Sequence, residues 1–170
     1  MKFIEAFIIF CYIFCTSFAS YYKFTKIETC ETSGKSGHLE YCNFTATSVF
    51  VVLNNTVTVN SINAEISLFQ LQNSNYRQLF KAPKVNWCKL TEQRNKNAVL
   101  KIIFESLKTY ASDFVRSCPL PPGIYRVTGL KIDRKYISIL PEGKYRFTLR
   151  AFNNRDEAML KVSLCLEILS

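Results

Sequence analysis

The chain has 170 residues, nearly half of them apolar, and a formal net charge of +9 at pH 7. One ordinary domain of this length buries a real core without relying on a metal. The charge favours anionic partners. Lys and Arg are scattered rather than clustered, so solubility is the simpler reading.

The first residues address the compartment. Met1 and Lys2 give a positive start, residues 6–14 are an unbroken apolar run, and Ser17-Phe18-Ala19 places small residues at a cleavage site. The apolar stretch ends at Glu5 and Thr16, short of the ~20 residues a bilayer requires. Residues 1–19 are therefore expected to be a cleaved signal peptide. Residues 20–170 are expected to form one secreted, extracellular domain with no transmembrane segment and no nucleic-acid partner.

The next stretch reads as strand, turn, strand. Phe24–Cys30 is a short strand, and His38–Leu53 is rich in β-formers up to the pair Asn54-Asn55. Thr56–Val59 starts another run, carried on by Ala64–Leu71 before the polar turn Gln72–Asn75. The period then changes. Between Asn95 and Ala111 the apolar residues Val99, Ile102, Ile103, Leu107 and Tyr110 fall at helical spacing, with Lys101, Glu105 and Lys108 on the other face. Thr91-Glu92 is the expected start of this one helix and Ser112-Asp113 its end.

After Cys118 the chain is β again. Pro119, Pro121, Pro122 and Gly123 form a stiff loop, and Ile124–Ile132 is a strand. Leu140-Pro-Glu-Gly143 is a turn. Tyr145, Phe147, Leu149 and Ala151 then alternate with Arg146, Thr148 and Arg150, and Asn153–Asp156 turns the chain. Ala158, Leu160, Val162, Leu164, Leu166 and Ile168 alternate with Lys161, Ser163, Cys165 and Glu167. The last two runs predict an antiparallel hairpin with one buried and one wet face. Seven or so strands in one domain imply a mainly β, immunoglobulin-like two-sheet antiparallel sandwich with one α-helix. No internal repeat is apparent.

Of seven cysteines, Cys11 and Cys15 leave with the signal. In an oxidising compartment the remaining five are expected to be mostly paired. The preferred pairing is Cys30–Cys42, closing a short loop that carries Gly34 and Gly37, and Cys88–Cys118, spanning the helical stretch. Each closed loop is worth about 3 kcal/mol on chain-entropy arithmetic. Cys165 is then left over, either exposed and able to join two chains or buried and inert. Two sequons, Asn43-Phe-Thr45 and Asn54-Asn-Thr56, mark Asn43 and Asn54 as glycosylation candidates.

Several of these segments together resemble a known family. Phe24-Thr-Lys-Ile-Glu-Thr-Cys30, Tyr41-Cys42, Asn86-Trp-Cys88-Lys-Leu90, Cys118-Pro119, Leu140-Pro-Glu-Gly-Lys-Tyr145 and the closing alternating strand share the order seen in a large insect group. That group is domain-of-unknown-function family 1091, which includes the chemosensory CheB proteins. The resemblance spans essentially the whole mature chain. The family is in turn similar to the ML lipid-recognition superfamily, whose β-cups splay two sheets apart to hold acyl chains. The resemblance implies secretion, an ML-like β-cup and a lipidic ligand. Cys165 is an extra cysteine relative to the family pattern, and Asn86 stands where the family commonly has an acidic residue.

No catalytic constellation is legible. The only histidine, His38, follows Ser36-Gly37, and neither a nucleophile elbow, a metalloprotease helix nor a phosphate loop occurs. The sequence thus points to a non-enzymatic protein needing no cofactor and holding no metal. Two functions remain. The first is a carrier of a lipid or other hydrophobic small molecule between the sheets, in a chemosensory setting if the resemblance extends to role. Its cavity candidates are Ile102, Ile103 and Leu107 on the helix with Tyr145, Phe147, Leu149, Leu160, Val162 and Leu164 on the final hairpin. Arg126, Lys131, Lys144 and Arg146 are candidates to meet an anionic head. The same apolar residues equally make a filled core. The alternative is a secreted accessory or signalling glycoprotein with a filled core, acting on a receptor or protein partner through exposed aromatics such as Tyr21, Tyr22, Tyr76 and Phe152.

Overall fold

The structure, a computed structural model, describes residues 21–32, 37–82, 84–92, 105, 108–115, 118–133, 137 and 140–169. The segment expected to be a signal peptide lies outside them. Among the described residues there are nine strands. β1 (Tyr21–Thr32), β9 (Ala158–Leu169), β8 (Gly143–Phe152), β4 (Asn63–Gln72) and β5 (Asn75–Lys81) lie side by side in that order. The two-residue β6 (Val85–Asn86) also pairs with β4. A second sheet has the order β2 (Gly37–Phe44), β3 (Val49–Asn55), β7 (Gly123–Leu130). Every pairing is antiparallel. The chain is a mainly β protein of two sheets, as its alternation predicts.

The larger sheet unites both ends of the described chain, since β1 runs along β9 from Tyr21 opposite Leu169 to Thr32 opposite Leu160. Its inward residues, Tyr22, Phe24, Tyr145, Leu160, Val162, Leu164, Leu166 and Ile168, are buried against Val49 and Val51 of the smaller sheet. The Cys30–Cys42 disulfide joins β1 to β2 and so staples one sheet to the other. Tyr22 adds a polar tie. Its hydroxyl donates to the Thr47 carbonyl (3.1 Å) and accepts from the Ile132 amide (2.8 Å). Burial raises its pKa above the ordinary phenol value.

Two segments share one backbone device. Leu120-Pro-Pro-Gly-Ile-Tyr125 leads into β7, and Leu140-Pro-Glu-Gly-Lys-Tyr145 leads into β8. In each, the tyrosine hydroxyl donates to the carbonyl of the proline four residues earlier, Tyr125 to Pro121 at 2.7 Å and Tyr145 to Pro141 at 2.6 Å. In each, the glycine has a positive φ, +152° at Gly123 and +148° at Gly143, which a Cβ disfavours. Both tyrosines are buried, Tyr145 completely. These are tyrosine corners in the sense used for sandwich folds, one opening a strand in each sheet. The two turns share this geometry without forming a repeated structural unit.

Other elements differ from expectation for local reasons. His38–Leu53 is not one run but β2 and β3 joined at Thr45–Ser48, where the Ser48 carbonyl accepts from the Thr45 amide (2.8 Å) and the Thr45 hydroxyl accepts from the Ser48 amide (3.1 Å). Thr56–Val59 contributes only an isolated bridge from Val59 to Leu120. A helix α1 (Trp87–Glu92) begins four residues before Thr91, because Asn86 caps it: its Oδ1 accepts from the Lys89 amide at 3.0 Å. Of the expected helix from Asn95 to Ala111, Glu105 and residues 108–110 are helical and the rest lies outside the described residues, apart from Ala111 after its end. Ser112–Phe114 follows as a 3-10 turn. The β4–β5 hairpin closes through Asn73 and Ser74, both at positive φ, as a two-residue turn matched to strand twist demands.

Replacing Tyr145 by Phe leaves the Pro141 carbonyl without its donor. In urea unfolding it is expected to cost about 1–3 kcal/mol, and Tyr125→Phe a similar amount. Tyr21→Phe, at an exposed position, should stay within about 0.5 kcal/mol of the parent.

Candidate functional site

The inner face of the larger sheet carries continuous apolar rows. One row runs Ile27, Leu164, Phe147, Leu68, Phe80 across five strands in register. Exposure rises along it. Leu164 is 6% exposed, Phe147 and Leu68 are half-buried, and Phe80 reaches 37%. The neighbouring row runs Cys30, Val162, Leu149, Ile66. There Val162 is buried and Leu149 half-buried, packed towards Ala64 and Trp87. Burial thus falls away from β9 to β5 along the first row, while the second row ends on a buried Ile66.

The sequence candidates divide along this gradient. Tyr145, Leu160, Val162 and Leu164 are buried members of the main core. Phe147 and Leu149 are half-buried on the same face, beside Leu68 and Phe80, which the sequence reading did not single out. Leu68 sits in an alternating strand, so its inward direction was available from the period. Phe80 was not, because a bulge between Leu68 and Phe69 shifts β5 relative to β4. Ile102, Ile103 and Leu107 lie outside the described residues.

From the described part of the β7–β8 connection, Ile137 is buried in the main core, and Ile132 and Leu140 pack on it. The Tyr145 hydroxyl, besides donating to Pro141, accepts from Gln70 Nε2 at 3.2 Å. Burial raises the Tyr145 pKa, against the lowering effect of the Gln70 amide.

The basic residues proposed for an anionic head are not brought together at one mouth. Arg126 is exposed on the outer face of the smaller sheet, opposite Val52. Lys144 and Arg146 lie on the outer face of the larger sheet, opposite Glu167 and Cys165. Arg146 pairs with Glu28 at 3.2 Å and stacks over the rings of Phe69 (4.8 Å) and Tyr76 (4.2 Å). Tyr76 and Arg146 thus cover Cys165 on the outer face that the period marks as wet, and Ser163 is buried in the adjoining register row.

Of the aromatics offered as exposed, only Tyr21 is, at 50%. Tyr22 and Phe152 are buried, and Tyr76 is half-buried with its hydroxyl 3.5 Å from the Cys165 thiol. Cys165 is free, and burial raises its pKa. Cys88 and Cys118 form the second disulfide. Asn43 is exposed and Asn54 half-buried, both directed to the outer face of the smaller sheet with Tyr41 and Ile124. Among the described residues no group of three or more His, Cys, Asp or Glu could hold a metal ion. None of their helices is long and apolar enough to cross a membrane.

A family model described as "Protein of unknown function (DUF1091)" matches residues 63–147. The chain belongs to that family. The matched half runs from the start of β4 to the middle of β8 and includes the second disulfide and both tyrosine corners. No curated protein sequence matches the chain. Among solved structures it is similar to chicken MD-1 complexed with lipid IVa, at 13% identity over 87% of this chain and 88% of that one, with a TM-score of 0.30. It is also similar to a Niemann-Pick type C2 protein from Japanese carpenter ant, at 18% identity over 89% and 93% of the two chains, with a TM-score of 0.34.

The buried Cys165–Tyr76 contact has two readouts. With disulfides intact, Cys165 should react with iodoacetamide on the order of tenfold more slowly than in urea. Tyr76 is pushed up to about 12, first by burial and then by its bond to Cys165. Because the folded state holds the neutral phenol, its contribution to stability is fully present below pH 10 and is lost as pH rises from 10 to about 12. Ultraviolet titration should show the Tyr76→Phe variant losing a late-ionising phenol.

Proposed function

We propose that this chain is a secreted, non-enzymatic protein that carries a lipid or other hydrophobic small molecule against the inner face of its larger sheet. The supporting observation is the exposure gradient along Leu164, Phe147, Leu68 and Phe80. A sandwich with no ligand to hold would gain by burying that row as fully as it buries β9. An acyl chain laid along the row would complete the burial. About twelve methylenes at ~0.8 kcal/mol each give on the order of 10 kcal/mol, against an association cost of ~4 kcal/mol or more. A single-chain ligand would then bind with a Kd of roughly tens of micromolar. The two disulfides, and the sequons directed to solvent from the smaller sheet, suit an extracellular glycoprotein. A chemosensory role would be one use of such a carrier.

The alternative of action through the outer surface has an observation of its own: Tyr41 (49% exposed) and Ile124 (43%) lie apolar and open on the outer face of the smaller sheet. The carrier reading rests on a longer row of residues and is preferred.

A fluorescent fatty acid should be taken up saturably by the secreted protein. Leu68→Glu, which places a charge in the middle of the row, should weaken uptake on the order of tenfold or more while leaving the far-ultraviolet circular dichroism unchanged. Equal uptake by Leu68→Glu would contradict the proposed position. Absence of saturable uptake by the parent protein, across fatty acids and long-chain hydrocarbons, would contradict the carrier reading itself.

A further inference from the structure

The outer face of the larger sheet holds a depression of about 480 Å3. Its floor is one register row: Thr29 on β1, Ser163 on β9, Thr148 on β8 and Ser67 on β4. Four small hydroxyl residues side by side leave a trench running across the strands. At about 4.8 Å per strand the floor is ~14 Å long. The flanking rows are long. On one side stand Arg146, Phe69 and Gln78, and on the other Lys161, Arg150 and Glu65. Lys81 closes the β5 end.

The floor offers unused polar groups. Ser67 is 7% exposed and Ser163 4%. Ser163 and Thr148 share one hydrogen bond at 3.1 Å. The Ser67 side chain has no partner among the described residues and faces into the trench. The walls are cationic in balance. Lys81, Arg146, Arg150 and Lys161 line them, against Glu28 and Glu65. Glu65 is shared by Lys81 (3.3 Å) and Arg150 (3.8 Å), and Lys161 reaches Glu31 just outside at 3.4 Å. Counting Glu31, four cations still face three carboxylates.

We propose that this trench is a second binding site, for an acidic saccharide: a short sulfated or uronic-acid sugar chain. Its small-residue floor lies between rows of longer side chains, a shape that suits a narrow chain. Sugar hydroxyls both donate and accept, which is what a row of serine and threonine hydroxyls requires. Phe69, with the Arg146 guanidinium stacked over its ring at 4.8 Å, forms part of one wall. Sulfate or carboxylate groups meet Arg150 and Lys81, whose single shared carboxylate leaves them under-neutralised. The site is independent of the apolar row, which lies on the opposite face.

The test is titration calorimetry of the full secreted protein with a heparin-derived tetrasaccharide at physiological salt. The parent should bind saturably at one site per chain. Arg150→Ala and the double variant Ser67→Val with Thr148→Val should each weaken binding tenfold or more. Arg126→Ala, on the outer face of the other sheet, should stay within twofold. Thermal unfolding checks that each variant is folded, and uptake of the fluorescent fatty acid should be unchanged in all of them. Three results would overturn the proposal: no saturable binding, equal loss in Arg126→Ala and Arg150→Ala, or indifference to the double valine variant. The last two would mark the interaction as diffuse charge attraction, to which an acidic polypeptide would respond equally.

Discussion

The tyrosine hydroxyl bonded back to a proline carbonyl is the constraint on which the sandwich turns. Proline fixes the approach, glycine takes a φ that other residues resist, and the tyrosine ring enters the core while its hydroxyl satisfies the turn's own carbonyl. The device occurs once ahead of β7 and once ahead of β8. One strand in each sheet is therefore anchored at its first residues. At the second corner the consequences spread furthest. Tyr145 is fully buried, accepts from Gln70 of β4, and stands in register with Leu166 of β9. Its neighbours two and four residues on, Phe147 and Leu149, are thereby held facing inward.

From that anchored strand the larger sheet presents two surfaces of opposite chemistry. Inward lies an apolar row whose burial weakens from β9 to β5. Outward lies a row of hydroxyls walled by charged side chains. The same residue alternation generates both, since Phe147 and Thr148 are consecutive. A single substitution on β8 thus addresses one surface without touching the other, which makes the two proposed sites separable by experiment. Cys165 belongs to the outer surface but not to its chemistry. Tyr76 and the Arg146 guanidinium lie over it, and burial holds its thiol protonated.

Much of this was legible in the chain. The β8–β9 hairpin was readable because ten residues of strict alternation admit no helical interpretation. Family membership was readable because several short motifs kept one order. What was not readable depended on neighbours. Ser163 and Cys165 alternate as if wet, yet both are buried, Cys165 under Tyr76 and Arg146 from other strands. The turn at Thr45–Ser48 contains no Gly, Pro or Asn, so nothing in its composition divides β2 from β3. Asn86 reads as a departure from a family pattern until its amide oxygen is seen capping α1. The scattered basic residues gave no sign that Arg126 and Arg146 would end on the outer faces of different sheets. Half of the candidate site was visible as alternation in β8 and β9. Leu68 and Phe80 completed it only once strand order was known.

The central claim is that the apolar row of the larger sheet holds a hydrophobic ligand. Native mass spectrometry of the secreted protein, with disulfides intact and organic extraction afterwards, tests it most directly. A discrete bound mass that extraction releases as a lipid, and that is absent from Leu68→Glu, is the predicted result. A clean unliganded mass from lipid-containing medium, unchanged after incubation with fatty acids or long-chain hydrocarbons, would contradict it.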